Sequence, residues 1–184
     1  MFVPVLLFLI SLAGMAFAVL IHGLVPSDLM LMSSLCFVAA AALVLWAALF
    51  PKKSYIVVDG SNVMHWRGGN PSITTVRQVV QQLIAQGYAP MIWFDANVGY
   101  KIGDRYLGPV PLARALGVPV RQVFVVSKGT PADPLLLAAA EELQARVVSN
   151  DQFRDWAEDY PMIKGKGFLI LGSMRNGKVA LNLE

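Results

Sequence analysis

The chain of 184 residues is short of three things. A single cysteine, Cys36, excludes an intramolecular disulfide framework and a cysteine-based zinc cluster. Two histidines, His22 and His65, are too few for a histidine-rich metal site. Charge is scarce as well: 15% of residues carry it against 56% that are apolar, where soluble domains average about 25% and 45–50%. So apolar a composition excludes a disordered chain. The length leaves room for one ordinary domain and a little more, and excludes two full globular domains.

The scarcity of charge is concentrated in one place. Of the first 51 residues only Asp28 bears a charged side chain, while all 15 Lys and Arg and 11 of the 12 acids lie beyond them, leaving +4 on the remainder. Met1 to Leu24 is one apolar run and Leu29 to Phe50 a second. Each is close to the ~20 residues that carry a helix across ~30 Å of hydrocarbon. Val25-Pro26-Ser27-Asp28 between them reads as a turn, with Asp28 placed to cap the second helix. The first run lacks the basic start of a cleaved signal peptide, and neither run has the polar face of a soluble hairpin. Residues 1–50 therefore read as a transmembrane helical hairpin embedded in a lipid bilayer. Lys52 and Lys53 follow the second run directly, and the Gly23–Asp28 connection has no Lys or Arg. The positive-inside rule then places the N-terminus and residues 51–184 on the cytoplasmic side of an inner or plasma membrane, as a multi-pass protein. Ala39 to Ala42 offers a smooth surface for helix packing. Whether such hairpins pair into a homodimer is left open.

From Ser54 onward short β runs alternate with helical stretches. Strands are expected at Tyr55–Val58, Pro90–Phe94, Gln122–Val126 and Arg146–Ser149, and helices at Thr74–Ala85, Leu112–Leu116 and Pro131–Gln144. Lys166–Leu171 and Val179–Leu183 read as a final hairpin turning at Asn176-Gly177. Alternation of this kind implies an α/β domain: a mostly parallel sheet with helices on both faces. The Pro51-Lys52-Lys53 linker is short, so the domain should lie close to the membrane surface.

The acids fall at informative positions. Ligands of open α/β sheets bind at the carboxyl ends of strands, and three of the four expected parallel strands run into an aspartate: Asp59, Asp95 and Asp151. Asp133 opens a helix after Thr130-Pro131-Ala132. Asp155 follows Asp151 by four residues, so a helix starting there would stack the two on one face. Asn62 follows Asp59 within the same loop. Singly, each has an ordinary explanation as turn residue, helix cap or surface charge. Together at one rim they would repel one another, and a cation is the usual compensation. With only oxygen donors to offer, the rim suits Mg²⁺ or Mn²⁺.

Val57-Val58-Asp59-Gly60-Ser61-Asn62-Val63 and Val147-Val148-Ser149-Asn150-Asp151-Gln152-Phe153-Arg154-Asp155 resemble the signature strands of NYN domains in the PIN-like nuclease superfamily. The nearest group is that of the Regnase-type ribonucleases with a CCCH zinc finger. Asp133, leading into the apolar stretch Leu135–Ala140, resembles the central acidic position of that family. The likeness covers about Tyr55 to Leu171 and implies a PIN-like sheet with a metal-dependent ribonuclease site at its carboxyl edge. It implies catalytic roles for Asp59, Asn62, Asp133, Asp151 and Asp155, with Asp59, Asp133 and Asp151 holding the metal and Asp155 orienting water or a second ion. The cofactor would be Mg²⁺ or Mn²⁺, and the products a 5′-phosphate and a 3′-hydroxyl. Asp95 belongs to neither signature but shares the strand-end position, and joins the metal candidates on that ground. Ala132 departs from the family, which often has a second acid there, and the family's zinc finger is absent from this sequence.

Single-stranded RNA needs a positive approach. Arg67, Lys101, Arg105, Lys128 and Arg154 lie in or near loops after strands, on the side of the acids, where they would bind phosphates. His65, Trp66, Tyr100 and Tyr106 would stack bases. Arg121, Arg146, Lys164 and Lys166 are placed to face anionic lipid headgroups. The resulting expectation is a membrane-anchored, Mg²⁺- or Mn²⁺-dependent ribonuclease. Its main competitor is a catalytically weak or inactive membrane-tethered RNA-binding or scaffold module. A toxin-like PIN ribonuclease would share the chemistry. A phosphatase with an aspartate nucleophile would need a second Asp where Ser61 stands.

Overall fold

The computed structural model describes residues 2–22, 28–50 and 53–183, divided into one unit up to Lys52 and a second from Lys53 onward. The turn expected at Val25-Pro26-Ser27 and the Pro51-Lys52 part of the expected linker lie outside the described residues.

In the first unit α1 (Phe2–His22) packs on α2 (Asp28–Leu49). The Phe8 and Phe37 rings meet across the pair at 4.7 Å, and elsewhere the contact is made by short side chains. Ser11, Ala18 and Ala40 are buried, and a Cβ added at Gly14 would stand 2.9 Å from Ser33 Oγ. Small residues of this kind let two helix backbones approach closely. Of the Ala39–Ala42 surface only Ala40 is buried, while Ala39 and Ala42 are exposed. Four successive residues of a 3.6-residue helix cannot share one face. The hydroxyls of Ser11 and Ser34 donate to the carbonyls of Leu7 and Met30, each at 2.8 Å, and so need no water. What faces outward is apolar: Ile10, Leu20, Leu31, Leu35, Leu45 and Trp46 are all exposed. Met30–Leu49 is long and apolar enough to cross a membrane by length and composition, and the apolar stretch Val5–Ile21 is shorter.

The second unit is built around β1 (Ser54–Asp59), followed by α3 (Gly60–Val63), α4 (Ile73–Ala85), β2 (Tyr88–Phe94), α5 (Val98–Gly103), α6 (Pro109–Leu116), β3 (Val123–Val125), α7 (Ala132–Glu142) and β4 (Arg146–Val148). The chain then adds β5 (Leu169–Ile170), β6 (Gly172–Arg175) and β7 (Lys178–Leu181). Five strands form a parallel sheet in the order β3-β2-β1-β4-β5. Successive side chains of a strand point to opposite faces, and β1 shows the consequence. Ile56 and Val58 enter one core with Val76, Val80 and Leu83 of α4 and Leu112 and Leu116 of α6. Val57 enters the other, with Leu136, Leu137 and Ala140 of α7. That is why the strand reads as an unbroken apolar run: both of its faces are covered.

The C-terminal end differs from expectation. Lys166–Leu171 does not form an arm of the hairpin. Leu169 and Ile170 pair in parallel with Val147 and Val148, so the sheet has five parallel strands where four were expected. The hairpin is β6 with β7, turning at Asn176-Gly177 as expected. Both turn residues have positive φ, 50° and 72°, as a two-residue turn between twisted strands requires. Such a turn fixes Arg175 opposite Lys178 and thereby brings the arms up against it.

Candidate active site

The chain runs from β1 outward through β2 to β3, then returns to the other side of β1 for β4 and β5. The reversal falls between β1 and β4, the place where open α/β sheets leave a crevice at the carboxyl ends of the strands. Asp59 is the last residue of β1, and Ser149-Asn150-Asp151 directly follows β4.

These two strand ends are joined side chain to side chain. Asp59 is buried, only 7% exposed, and both of its carboxylate oxygens are engaged. The Asn62 N–H donates to Oδ1 at 2.9 Å, which caps α3, and the Ser149 hydroxyl donates to Oδ2 at 2.8 Å. Ser149 Oγ in turn accepts the Asp151 N–H at 3.0 Å. Asn62 Oδ1 accepts two bonds, from Trp66 Nε1 at 2.8 Å and from the Asn150 N–H at 3.0 Å. Asn150 ties the crevice to β6: its Nδ2 donates to the Gly172 carbonyl at 2.8 Å and its Oδ1 accepts the Gly172 N–H at 3.0 Å. Close approach at Gly60 completes the bend, because a Cβ there would collide with the Phe94 ring.

The electrostatics identify the remaining members. Burial pushes the Asp59 carboxyl from 3.8 up to about 6; the bonds from Asn62 and Ser149 pull it back, while the charges of Asp133 and Asp95 push it further up. Asp133, half-buried in the first turn of α7, is raised as well, by burial first and then by Asp151, Asp95 and Asp155, against a lowering hydrogen bond from Trp156. The five aspartates expected at the rim thus act on one another across one edge. No three His, Cys, Asp or Glu side chains among the described residues are gathered into a ready-made metal ligand set. The carboxylates share an edge without converging on a point.

Asp151 and Asp155 do not lie on a common helix, contrary to expectation. The Asp151 carboxylate accepts the Phe153 N–H at 2.8 Å, Phe153 takes a left-handed conformation (φ 49°), and only a short 3-10 turn, Arg154–Trp156, follows. A side chain that bonds the backbone two residues on makes a turn of its own and competes with the helix. Both aspartates are exposed.

The basic and aromatic residues divide into free and committed groups. Arg105 and Lys128 are exposed. Lys101 stands 3.8 Å from Asp95. Arg154 is held by Gln152 Oε1 through bonds of 2.8 and 2.6 Å, and Arg67 by Gln78 at 3.3 Å. His65, Tyr100 and Tyr106 are exposed. Trp66 is not available to stack a base: its indole N–H is bonded to Asn62 and its ring fills the space that a Cβ on Gly172 would occupy. Arg146, expected at a lipid surface, is committed within the domain to the Leu183 carbonyl and the Tyr88 hydroxyl, at 3.1 and 3.2 Å.

Two residues that hold the site together were not singled out from the sequence. Ser149 stands inside the second motif, and a hydroxyl at a strand end beside a carboxylate is the signal that points to it. Ser61 Oγ accepts the Asp95 N–H at 2.9 Å and fastens the end of β2 to the loop after Asp59.

Solved structures with a similar fold include two of the nuclear proteinaceous RNase P 2 (PRORP2) of Arabidopsis thaliana. Their TM-scores are 0.55 and 0.51 at 19% and 17% identity, over 77% and 84% of this chain. At such identity the likeness concerns the fold, and this chain spans about a third of those proteins, 32% and 35% of their chains. No curated protein gives a significant match. Residues 52–165, more than half of the sequence, match the family described as the Zc3h12a-like ribonuclease NYN domain, and the chain belongs to that family.

Proposed function

We propose that this protein is a membrane-anchored ribonuclease that hydrolyses RNA phosphodiester bonds at the Asp59–Asp133–Asp151 edge with the help of a divalent cation, Mg²⁺ or Mn²⁺. The observation that carries the reading is a surplus of mutually repelling carboxylates at the switch point of a ribonuclease-family sheet. Among the described residues the one ion pair at this edge is Lys101 with Asp95. Carboxylate oxygens are the donors that hard cations take, so the donor chemistry fits. The open spacing suits Mg²⁺, which keeps several of its own waters, better than an ion caged by protein alone. When bound, the cation lowers the pKa of water and offsets charge on the phosphoryl oxygens.

The residues divide the remaining work. Asp59, with both oxygens fixed, anchors the site. Asp151, held through Ser149, presents a second carboxylate at the rim, and Asp155 orients water beyond it. The Asp133 carboxyl, half-buried, is raised above its ordinary value, and a more basic carboxylate is a better acceptor for a proton from attacking water. The carbonyl oxygen of Asn62 is already used twice, which leaves its NH₂ group to contact the scissile phosphate. Lys101, Arg105 and Lys128 steer the RNA. The products carry a 5′-phosphate and a 3′-hydroxyl. The anchor is supported by the outward apolar surfaces of α1 and α2 and by Met30–Leu49, and Lys53 after α2 favours a cytoplasmic domain.

A second reading, an RNA-binding module of weak or absent activity, is favoured by one observation. Ala132, where the family often has an acid, is buried at the start of α7. Full-length protein in detergent, given labelled single-stranded RNA with Mg²⁺, with Mn²⁺ or with chelator, separates the two. Metal-dependent cleavage that falls at least ~100-fold in Asp133→Asn and Asp151→Asn, with melting unchanged, supports the nuclease. Binding without cleavage at every metal concentration gives the second reading. Absence of both rejects the edge as an RNA site.

A further inference from the structure

We infer that the cleft between Tyr100 and Tyr106 is a subsite for one unpaired nucleobase of the RNA, next to the scissile phosphate. The inference rests on the reading of the carboxylate edge as an RNA site and adds to it a pocket with its own chemistry. The cleft, about 470 Å³, is lined by Asn97, Tyr100, Tyr106, Val126, Ser127 and Lys128. That volume falls within the ~300–1,000 Å³ of small-molecule sites. Two phenol rings on its walls are 58% and 62% exposed, large apolar surfaces left open to solvent. Buried Val126 lies beneath them, while Asn97 and Ser127 offer donors and acceptors to a base edge and Lys128 offers an ammonium to a phosphate. Aromatic faces with an adjacent cation are how proteins hold single-stranded bases with little sequence preference.

The cleft is built in advance and fastened to the acids. A Cβ at Gly99 would collide with the Arg105 carbonyl, so the segment carrying Tyr106 can fold back onto α5 only because residue 99 lacks a side chain. Asp104 makes the reversal in a left-handed conformation (φ 51°). The Val126 N–H donates to the Phe94 carbonyl at 3.0 Å, which ties the cleft floor to β2, and the next residue, Asp95, is bonded to Ser61 in the loop after Asp59. A base seated between the tyrosines places its phosphates along Lys101 and Lys128 and its neighbour at the carboxylate edge. The basic and acidic sides of this rim then have separate tasks.

The test uses the full-length protein in detergent and chelator, so that RNA is bound without being cut. An unstructured oligonucleotide, trimmed to the shortest length that still binds (~4–8 nucleotides) so that it occupies the edge in one register, carries 2-aminopurine at one position after another, and quenching of its fluorescence reports stacking. The expected result is quenching at one position, lost in Tyr100→Ala and Tyr106→Ala with a ~5- to 100-fold rise in Kd, and kept in Tyr100→Phe. An abasic nucleotide at that same position should weaken binding to wild type as much, and should have no further effect on the alanine variants. This arm leaves the protein unaltered and so does not depend on how the variants fold. Equal quenching at all positions, indifference to the abasic site, or no binding overturns the subsite. Position-specific quenching with no cleavage after Mg²⁺ is added keeps the subsite and rejects the nuclease. Cleavage that is insensitive to the abasic nucleotide does the reverse.

Discussion

Replacing Asp59 with asparagine should stabilise the metal-free protein at neutral pH while abolishing cleavage. The Asp59 carboxyl titrates at about 6 in the folded chain against an ordinary 3.8, chiefly because it is buried. A carboxyl raised in this way takes up a proton on folding. The stability it contributes is complete below about pH 4, falls as pH rises through about 6, and is gone above that. The difference of about 2 pH units corresponds to about 3 kcal/mol at 1.36 kcal/mol per unit. A carboxamide matches the neutral acid in shape: its oxygen accepts from the Asn62 N–H, and its NH₂ donates to Ser149 Oγ. The variant should therefore equal wild type below about pH 3.5, lead it by about 1 kcal/mol near pH 4.5 and exceed it by up to about 3 kcal/mol near pH 7.5 in chelator. The gap should narrow when Mg²⁺ is added, because the cation favours the ionised wild-type carboxylate. Guanidinium unfolding of the full-length protein in detergent, followed by emission from Trp66, Trp93 and Trp156, measures the difference at each pH. A gap that does not vary between about pH 5 and 8, or a variant less stable than wild type at about pH 7.5, refutes the assignment of a strained, uncompensated carboxylate.

Ser149→Ala removes the donor to Asp59 Oδ2 and the acceptor of the Asp151 N–H. It should raise the Asp59 carboxyl further, move the acidic limb of the pH–rate profile upward and lower kcat ~10-fold or more, with Ser149→Thr restoring both. Gly60→Ala drives a methyl into the Phe94 ring, and a thermal melt should record a loss of about 1–3 kcal/mol. Trp93→Phe removes a buried indole N–H that has no partner, and keeps a ring to stack on Phe124 at 4.5 Å. Denaturant unfolding should show no loss, or a gain of up to about 1 kcal/mol.

What the sequence disclosed and what it hid follow from how each feature is encoded. Tyr55–Val58 and Arg146–Ser149 were legible because a strand covered on both faces must be apolar throughout, so its end shows as an abrupt polar residue. The same break revealed Asp59, Asp95 and the Ser149-Asn150-Asp151 end as one rim. Strand β5 was not legible, since two residues, Leu169 and Ile170, are too few to carry a period, and their partners lie some twenty positions back. The turn after Asp151 was missed because nothing marks Phe153 for a positive φ; the carboxylate two residues before it imposes the turn. Trp66 read as an exposed base stacker because its partner, Gly172, is absent from any local window. Contacts that span the sheet were hidden, and patterns within one strand were not.

Asn62 shows how far a motif residue can be reassigned by its bonds. Its N–H holds Asp59, its side-chain oxygen receives Trp66 and the backbone of Asn150, and Asn150 in turn grips Gly172. One residue, through its backbone N–H and its side-chain oxygen, therefore fastens the end of β1 to the end of β4 at the point where strand order reverses. The β1–β4 ladder ends at Val58 opposite Val148, and beyond it the connections depart in opposite directions, so no strand pairing holds the lips of the crevice together. Side chains must do so, and here the ones that do are Asn62 and Ser149. A carboxylate with a pKa of about 6 is tolerable in that place only if its surroundings cannot relax to admit water, because solvation would return it to the ordinary range. The Asn62 and Ser149 bonds offset part of the cost of that charge, burial and the charges of Asp133 and Asp95 outweigh them, and the remainder is what a divalent cation would relieve.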